Sequence, residues 1–176
     1  MTLVEKIAAA FCVEPIPKEP LVEPEYLDPV NQGDYGATAY FSGKPWSGLD
    51  VNSLRYHEDA MVMFTPHAHQ YYLPAFMVAS LSDPAGADVI PDNIIFHLSR
   101  YTEGFWWERV RVLTPLQCEV VAEFVQAVAG TFVMLPPTSN TARPPKLFRL
   151  PFQYRPGFDS HTIARFSGSP RLKPGT

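Results

Sequence analysis

The stretch from Thr65 to Leu81 reads TPHAHQYYLPAFMVASL, and it decides the fold of this 176-residue chain. Threonine is a preferred N-cap and proline is favoured in the first turn of a helix, so Thr65-Pro66 predicts a helix start. The residues that follow are apolar on almost every side, which is typical of a helix at the centre of a core. Pro74 lies inside the stretch, and we expect it to kink the helix or break it in two.

Further helix starts lie on both sides of this central segment. Thr2 with Glu5, and Thr114 with Gln117, have the spacing of a capping box, in which each side chain accepts from the other residue's backbone N–H. The second helix is expected to end at Gly130, since glycine is favoured just beyond a helix. These signals predict a mainly α fold: a compact single-domain helical bundle with a proline-rich N-terminal arm and an extended, strand-like C-terminal tail.

Proline content and charge divide the chain into a helical domain, 1–135, and a terminal segment, 136–176. Five prolines between positions 15 and 29 exclude a regular helix, so we interpret residues 14–32 as an extended acidic arm on the surface. Residues 1–135 carry 17 acidic and 7 basic side chains, whereas 136–176 carry 7 basic ones against Asp159 alone. We expect the proline-rich linker and basic tail of 136–176 to pack on the acidic domain and neutralise it.

The N-terminus and the apolar runs predict a cytoplasmic protein without membrane contact. No apolar run approaches the roughly 18 residues of a membrane span. The segment Met1–Cys12 has no basic residues ahead of its apolar stretch, and Glu5 and Lys6 interrupt that stretch, unlike a signal peptide. Cys12 and Cys118 both fall in apolar helical patterns, so we expect two buried, reduced thiols.

The histidines provide the candidates for enzyme chemistry. His57-Glu58 begins like a zinc-protease motif, but Met61 stands where that motif needs its second histidine. His67 and His69 are two residues apart, and on a helix this spacing separates them by about 200°, so they cannot share a metal. The sequence has no glycine-rich phosphate loop, nucleophile elbow or paired cysteines with zinc spacing. We therefore expect no metal, no cofactor and no enzyme activity; a small enzyme with a His/Glu site is the alternative.

Large aromatic side chains and the acidic arm are the candidate contact surfaces. Phe105-Trp106-Trp107 stand in a predicted loop, and three adjacent rings cannot all point into one core, so they and Trp46 are candidate anchors of an interface. The basic tail with its interleaved aromatics also suits single-stranded nucleic acid, an alternative partner that we do not favour. The predicted partner-binding residues are Glu19, Glu23, Glu25, Asp28, Trp46, Phe105, Trp106 and Trp107.

Several short motifs follow one another along the chain. They are Tyr71-Tyr-Leu-Pro-Ala and Leu113-Thr-Pro-x-Gln117, which are the most specific, with Ile7-x-x-Ala-Phe11, Phe41-x-Gly-x-x-Trp46 and His97-Leu98. In this order they resemble an uncharacterised family of small bacterial proteins, over residues 3–130 and not in the linker and tail. The resemblance implies a cytoplasmic bacterial protein of helical fold, and it transfers no catalytic residue.

A small acidic domain with spare aromatic side chains and no catalytic constellation indicates a non-enzymatic binding protein. Most concretely, we expect an immunity protein that binds and neutralises a cognate antibacterial toxin, such as a secreted effector. If the toxin is a nuclease, its cleft is basic, and the acidic arm would be steered into it.

Overall fold

A computed structural model describes residues 1–12, 15–28, 33–99 and 104–133. Within these ranges the chain is mainly helical, which confirms the predicted fold class, and none of the described helices is long and apolar enough to cross a membrane. The predicted linker and tail, 136–176, lie outside the described residues. In chain order the elements are α1 (Leu3–Phe11), a 3-10 helix (Pro24–Tyr26), α2 (Ala37–Phe41), α3 (Val51–Tyr56), α4 (Ala60–Met63), α5 (Pro66–Ser82), α6 (Pro84–Ala87), α7 (Ile90–Ser99), α8 (Gly104–Val110) and α9 (Pro115–Val133).

Helix α5 forms the centre of the described part of the chain, as predicted. Its N-cap is Thr65, whose hydroxyl accepts a hydrogen bond from the Ala68 N–H. Twelve of its 17 residues are buried, and α1, α3, α6, α7 and α8 all pack against it. Pro74 lies inside α5 without ending it, so the predicted break into two pieces does not occur. The proline removes one backbone hydrogen bond, and burial of the apolar side chains around it offsets that cost.

Helices α1 and α9 begin at the two predicted capping boxes. The Thr2 hydroxyl accepts from the Glu5 N–H at 3.2 Å, and the Glu5 carboxylate accepts from the Thr2 N–H at 2.7 Å. Thr114 and Gln117 make the same reciprocal pair at 3.2 and 3.0 Å. Helix α9 continues past Gly130, so the predicted end was wrong. A glycine inside a helix costs only about 1 kcal/mol relative to alanine, which the packing of α9 can offset.

Two buried glutamines join α1, α5 and α9. The Gln70 amide donates to the side-chain oxygen of Gln117 and to the Val112 carbonyl, both at 2.9 Å. The Gln117 amide, which has no exposed surface, donates to the Ala10 carbonyl at 3.3 Å. Because buried amides are stable only with their partners in place, this network fixes the register of the three helices.

Residues 15–28 are extended apart from the 3-10 helix, as their prolines predict, but the middle of the segment lies in the core rather than on the surface. Leu21 and Val22 are fully buried, and Val22 forms an antiparallel bridge with Phe64. Backbone hydrogen bonds of 2.8 Å flank the bridge on both sides. Apolar burial therefore ties the predicted arm to the residues just before α5; its other positions, 14 and 29–32, lie outside the described residues.

Helix α8 occupies the stretch that the sequence predicted as a loop, and that prediction was wrong. Arg109 anchors this helix, and its charged side chain is almost fully buried, with 1% of its surface exposed. Its guanidinium donates to the carbonyls of Val62, at 3.1 Å, and Phe64. These acceptors lie more than 40 residues earlier in the chain, so no local pattern in the sequence signals the contact.

The two cysteines differ from the expected pair of buried thiols. Cys12 is exposed, because it follows the last residue of α1 and its thiol donates to the Ala9 carbonyl at 3.2 Å. Cys118 is partly buried. Burial, reinforced by the charge of Glu119, raises the pKa of the Cys118 thiol, which keeps it protonated and unreactive near neutral pH.

Candidate binding surface

An open groove of about 240 Å³ lies beside the connection between α3 and α4. Tyr56 is 80% exposed and Tyr35 59% exposed, whereas the adjoining Met63 is buried. The groove thus combines two exposed tyrosines with an exposed carboxylate, Asp59, and less exposed neighbours. We call it the tyrosine groove, and its lining residues are Tyr35, Tyr56, His57, Asp59, Ala60 and Met63.

His57 is held in the tyrosine groove by other rings. Its imidazole stacks on Tyr40 with a centroid distance of 4.7 Å and meets Tyr56 edge to face at 4.8 Å. Lys44 places its ammonium 3.7 Å from the centroid of the Tyr40 ring. Burial lowers the pKa of His57, the charge of Lys44 lowers it further, and Asp34 opposes both. The imidazole is therefore a neutral aromatic wall near neutral pH.

Tyr35 is presented by a turn with left-handed backbone. Its φ angle is 49°, between Gly33 at 73° and Gly36 at 78°. The Asp34 carboxylate accepts from the N–H groups of Gly36 at 3.0 Å and Thr38 at 2.8 Å, which fixes the turn against the start of α2. A non-glycine residue in this conformation costs about 1 kcal/mol or more. Such strain persists where the surrounding structure enforces it, and it is concentrated at functional sites.

The four carboxylates predicted as partner contacts in the arm have different surroundings. Glu23 is 25% exposed and lies 3.5 Å from the buried guanidinium of Arg109, so it serves the packing of α8. Glu19 is exposed and accepts one hydrogen bond of 2.7 Å from a serine hydroxyl. Glu25 and Asp28 are also exposed. Three of the four are accessible to a partner, and Glu23 is largely withdrawn.

Of the four predicted aromatic contacts, the structure describes the side chains of Trp46 and Trp107. Trp46 packs partly buried against the core and lines a second, shallow cavity of about 180 Å³ beside α5. Trp107 is 38% exposed. The side chains of Phe105 and Trp106 lie outside what the structure describes. Of the two described anchors, Trp107 is therefore the more exposed and Trp46 is partly buried.

The histidines of the alternative enzyme site differ in how far they are exposed to solvent. His67 is exposed on α5, whereas His69 is 3% exposed. Burial, with the charges of Arg109 and His97, lowers the pKa of His69 to about 3. Burial also raises the pKa of Glu58. Within the described ranges, no group of three or more His, Cys, Asp or Glu side chains is arranged to hold a metal ion.

Sequence reasoning missed the tyrosine groove. Tyr35 and Tyr56 stand 21 positions apart, and only the folding of α2 and α3 brings them to one groove. The available local signal was the sequence Gly33-Asp-Tyr-Gly36, in which a tyrosine between two glycines marks a tight turn.

Comparison with protein families matches residues 25–132 to a family of unknown function, DUF6714. The match covers more than half of the chain and includes the tyrosine groove and α5. Comparisons with curated proteins and with solved structures found no match.

Proposed function

Since the chain belongs to the DUF6714 family of unknown function, we propose its role from its surface: a bacterial immunity protein that binds and neutralises a cognate antibacterial toxin without catalysing a reaction. The observation that carries the proposal is the tyrosine groove, where two tyrosine rings remain largely in water. The toxin that fits best is a nuclease effector, because its substrate demands a basic cleft.

Exposed tyrosines of this kind are suited to protein recognition. Tyrosine is enriched at the centre of interfaces, since its ring supplies apolar area and its hydroxyl a hydrogen bond at little entropic cost. Covering a ring such as Tyr56 removes on the order of 150 Å² from water, which contributes about 3–4 kcal/mol before ordering costs. The partly exposed ring of His57, which stacks on Tyr40, gives the partner a further aromatic surface to pack on.

The charge of the domain supports a basic partner. The full chain carries 18 acidic against 14 basic side chains, a net charge of -4, and its excess of acidic side chains lies within residues 1–135. Asp59 lines the tyrosine groove, and Glu25 and Asp28 are exposed in the arm. A negative surface steers a positively charged protein towards it and raises the association rate, most strongly at low ionic strength.

Co-expression with the product of the neighbouring gene tests the proposal. We expect a stoichiometric complex on size-exclusion chromatography and survival of cells in which that product alone is toxic. Tyr56→Ala should weaken both effects, whereas Phe96→Ala, which removes a 46% exposed ring outside the groove, should not. Absence of a complex together with absence of rescue would refute the proposed function.

A further inference from the structure

The tyrosine groove has the chemistry of a site for a cation. Two exposed phenol rings, the neutral imidazole of His57 and the carboxylate of Asp59 line it. Aromatic faces attract cations through their negative π-face, and a carboxylate adds a full opposite charge. A cation already lies on a neighbouring ring, because the Lys44 ammonium is 3.7 Å from the centroid of Tyr40.

No cationic side chain of the described residues is among the groove's lining. Lys44 contacts Tyr40 instead, and Arg55 is paired with Asp88 in an ion pair. The Asp59 side chain makes no cap hydrogen bond to the helix that it precedes. The groove therefore presents negative charge and aromatic faces to a group that comes from outside these residues.

We propose that the tyrosine groove binds an arginine side chain of the partner protein, with the guanidinium against the rings of Tyr35 and Tyr56 and paired with the carboxylate of Asp59. This inference rests on the proposed function and names the group that the partner contributes. Guanidinium suits the groove better than ammonium does. It is planar, weakly hydrated, stacks on aromatic faces and pairs with a carboxylate through two hydrogen bonds.

The backbone around Tyr35 is consistent with a preformed site. The left-handed φ of Tyr35 and the hydrogen bonds of Asp34 hold the turn in place before any ligand arrives. His57 is fixed by stacking on Tyr40. Because its walls are already ordered, the site loses little conformational entropy when it binds.

A titration of the full chain with N-acetylarginine amide tests the site directly. The readout is the NMR chemical shift of the Tyr35 and Tyr56 rings, and N-acetylcitrulline amide is the uncharged probe of nearly the same shape. We expect saturable shifts with the arginine probe and at least about tenfold weaker binding of the citrulline probe. Tyr56→Ala and Asp59→Asn should each weaken arginine binding about threefold to tenfold.

Matched variants separate this site from general charge effects. Phe96→Ala removes an exposed ring elsewhere, and Glu119→Gln removes an exposed charge in α9; neither should change the affinity for the arginine probe. Equal affinity for both probes, no saturable shift, or unchanged affinity in Tyr56→Ala and Asp59→Asn would overturn the inference.

Failure of this inference is distinguishable from failure of the proposed function. If the neighbouring gene's product binds the wild type and both groove variants equally, the arginine site is wrong and the binding function stands. If the arginine probe binds as expected while no toxin forms a complex or is neutralised, the site stands and the immunity function is wrong.

Discussion

Replacing Arg109 by methionine should lower the free energy of unfolding far more than replacing an exposed cationic side chain. Methionine keeps most of the side chain's packing volume and removes the guanidinium, which donates to the carbonyls of Val62 and Phe64. Hydrogen bonds from a charged donor contribute about 1.5–3 kcal/mol each, and the acceptors left behind would be desolvated. With the weaker contact to Glu23 at 3.5 Å, we expect Arg109→Met to lower the free energy of unfolding by about 3–5 kcal/mol.

Arg111 provides the matched control, since it lies two residues further along and pairs with Glu108 at the surface. Its ion pair is exposed on both sides, so Arg111→Met should cost less than about 1 kcal/mol. Glu23→Gln should also cost about 1 kcal/mol or less, because its contact with Arg109 is long and partly solvated. Urea unfolding followed by circular dichroism, with unchanged m-values, measures all three. A loss of stability for Arg109→Met no larger than that for Arg111→Met would show that the buried guanidinium does not anchor α8.

Three further predictions concern other buried or local contacts. His69 has a pKa of about 3 in the folded protein against about 6.5 in the unfolded chain, so the unfolded state binds more protons between these values and stability falls as pH decreases from about 6.5. His69→Leu should reduce this slope by up to about 1.4 kcal/mol per pH unit in urea titrations between pH 7 and 4, and an unchanged slope would contradict the assigned burial of His69. Gln117→Leu should lower the free energy of unfolding by about 2–4 kcal/mol, because it leaves hydrogen-bond partners on three segments without their contact. Gln126→Leu, on the exposed side of α9, should change it by no more than about 0.5 kcal/mol in the same urea titration. Thr65→Ala removes the N-cap of α5 and should lower the unfolding free energy by about 1 kcal/mol; an unchanged thermal midpoint would contradict the assigned cap.

The helix starts were predictable because capping is a local interaction. Thr2, Thr65 and Thr114 each make hydrogen bonds within three residues, and the sequence displays both partners side by side. The central position of α5 was predictable for a related reason. A helix with apolar residues on all sides has only one favourable environment, which is the core.

Two of the failures, at α8 and at the predicted arm, involve contacts that span long stretches of chain. Arg109 looks like a surface cation in the sequence, yet its acceptors lie more than 40 residues away. Because the sequence does not reveal this contact, the aromatic residues just before Arg109 were predicted to form a loop, whereas they belong to α8. Leu21 and Val22 sit between prolines and acidic residues, which suggested a surface arm, but pairing with Phe64 carries them into the core.

The candidate site was less predictable than the fold for the same reason. Trp46 and Trp107 stood out by residue type. The most exposed tyrosine of the groove is Tyr56, and no motif in the sequence marks it. A groove arises from the positions of several turns, and Tyr35 reaches it through a left-handed backbone that local propensity does not predict for tyrosine.

We propose that the protein binds its partner through the tyrosine groove. Calorimetric titration of the purified toxin candidate with the wild type and with the double variant Tyr56→Ala/Asp59→Asn tests this proposal. We expect a one-to-one complex whose Kd rises at least about tenfold in the double variant, while Phe96→Ala/Glu119→Gln matches the wild type. A toxin that binds all three proteins with the same affinity, or none of them, would contradict it.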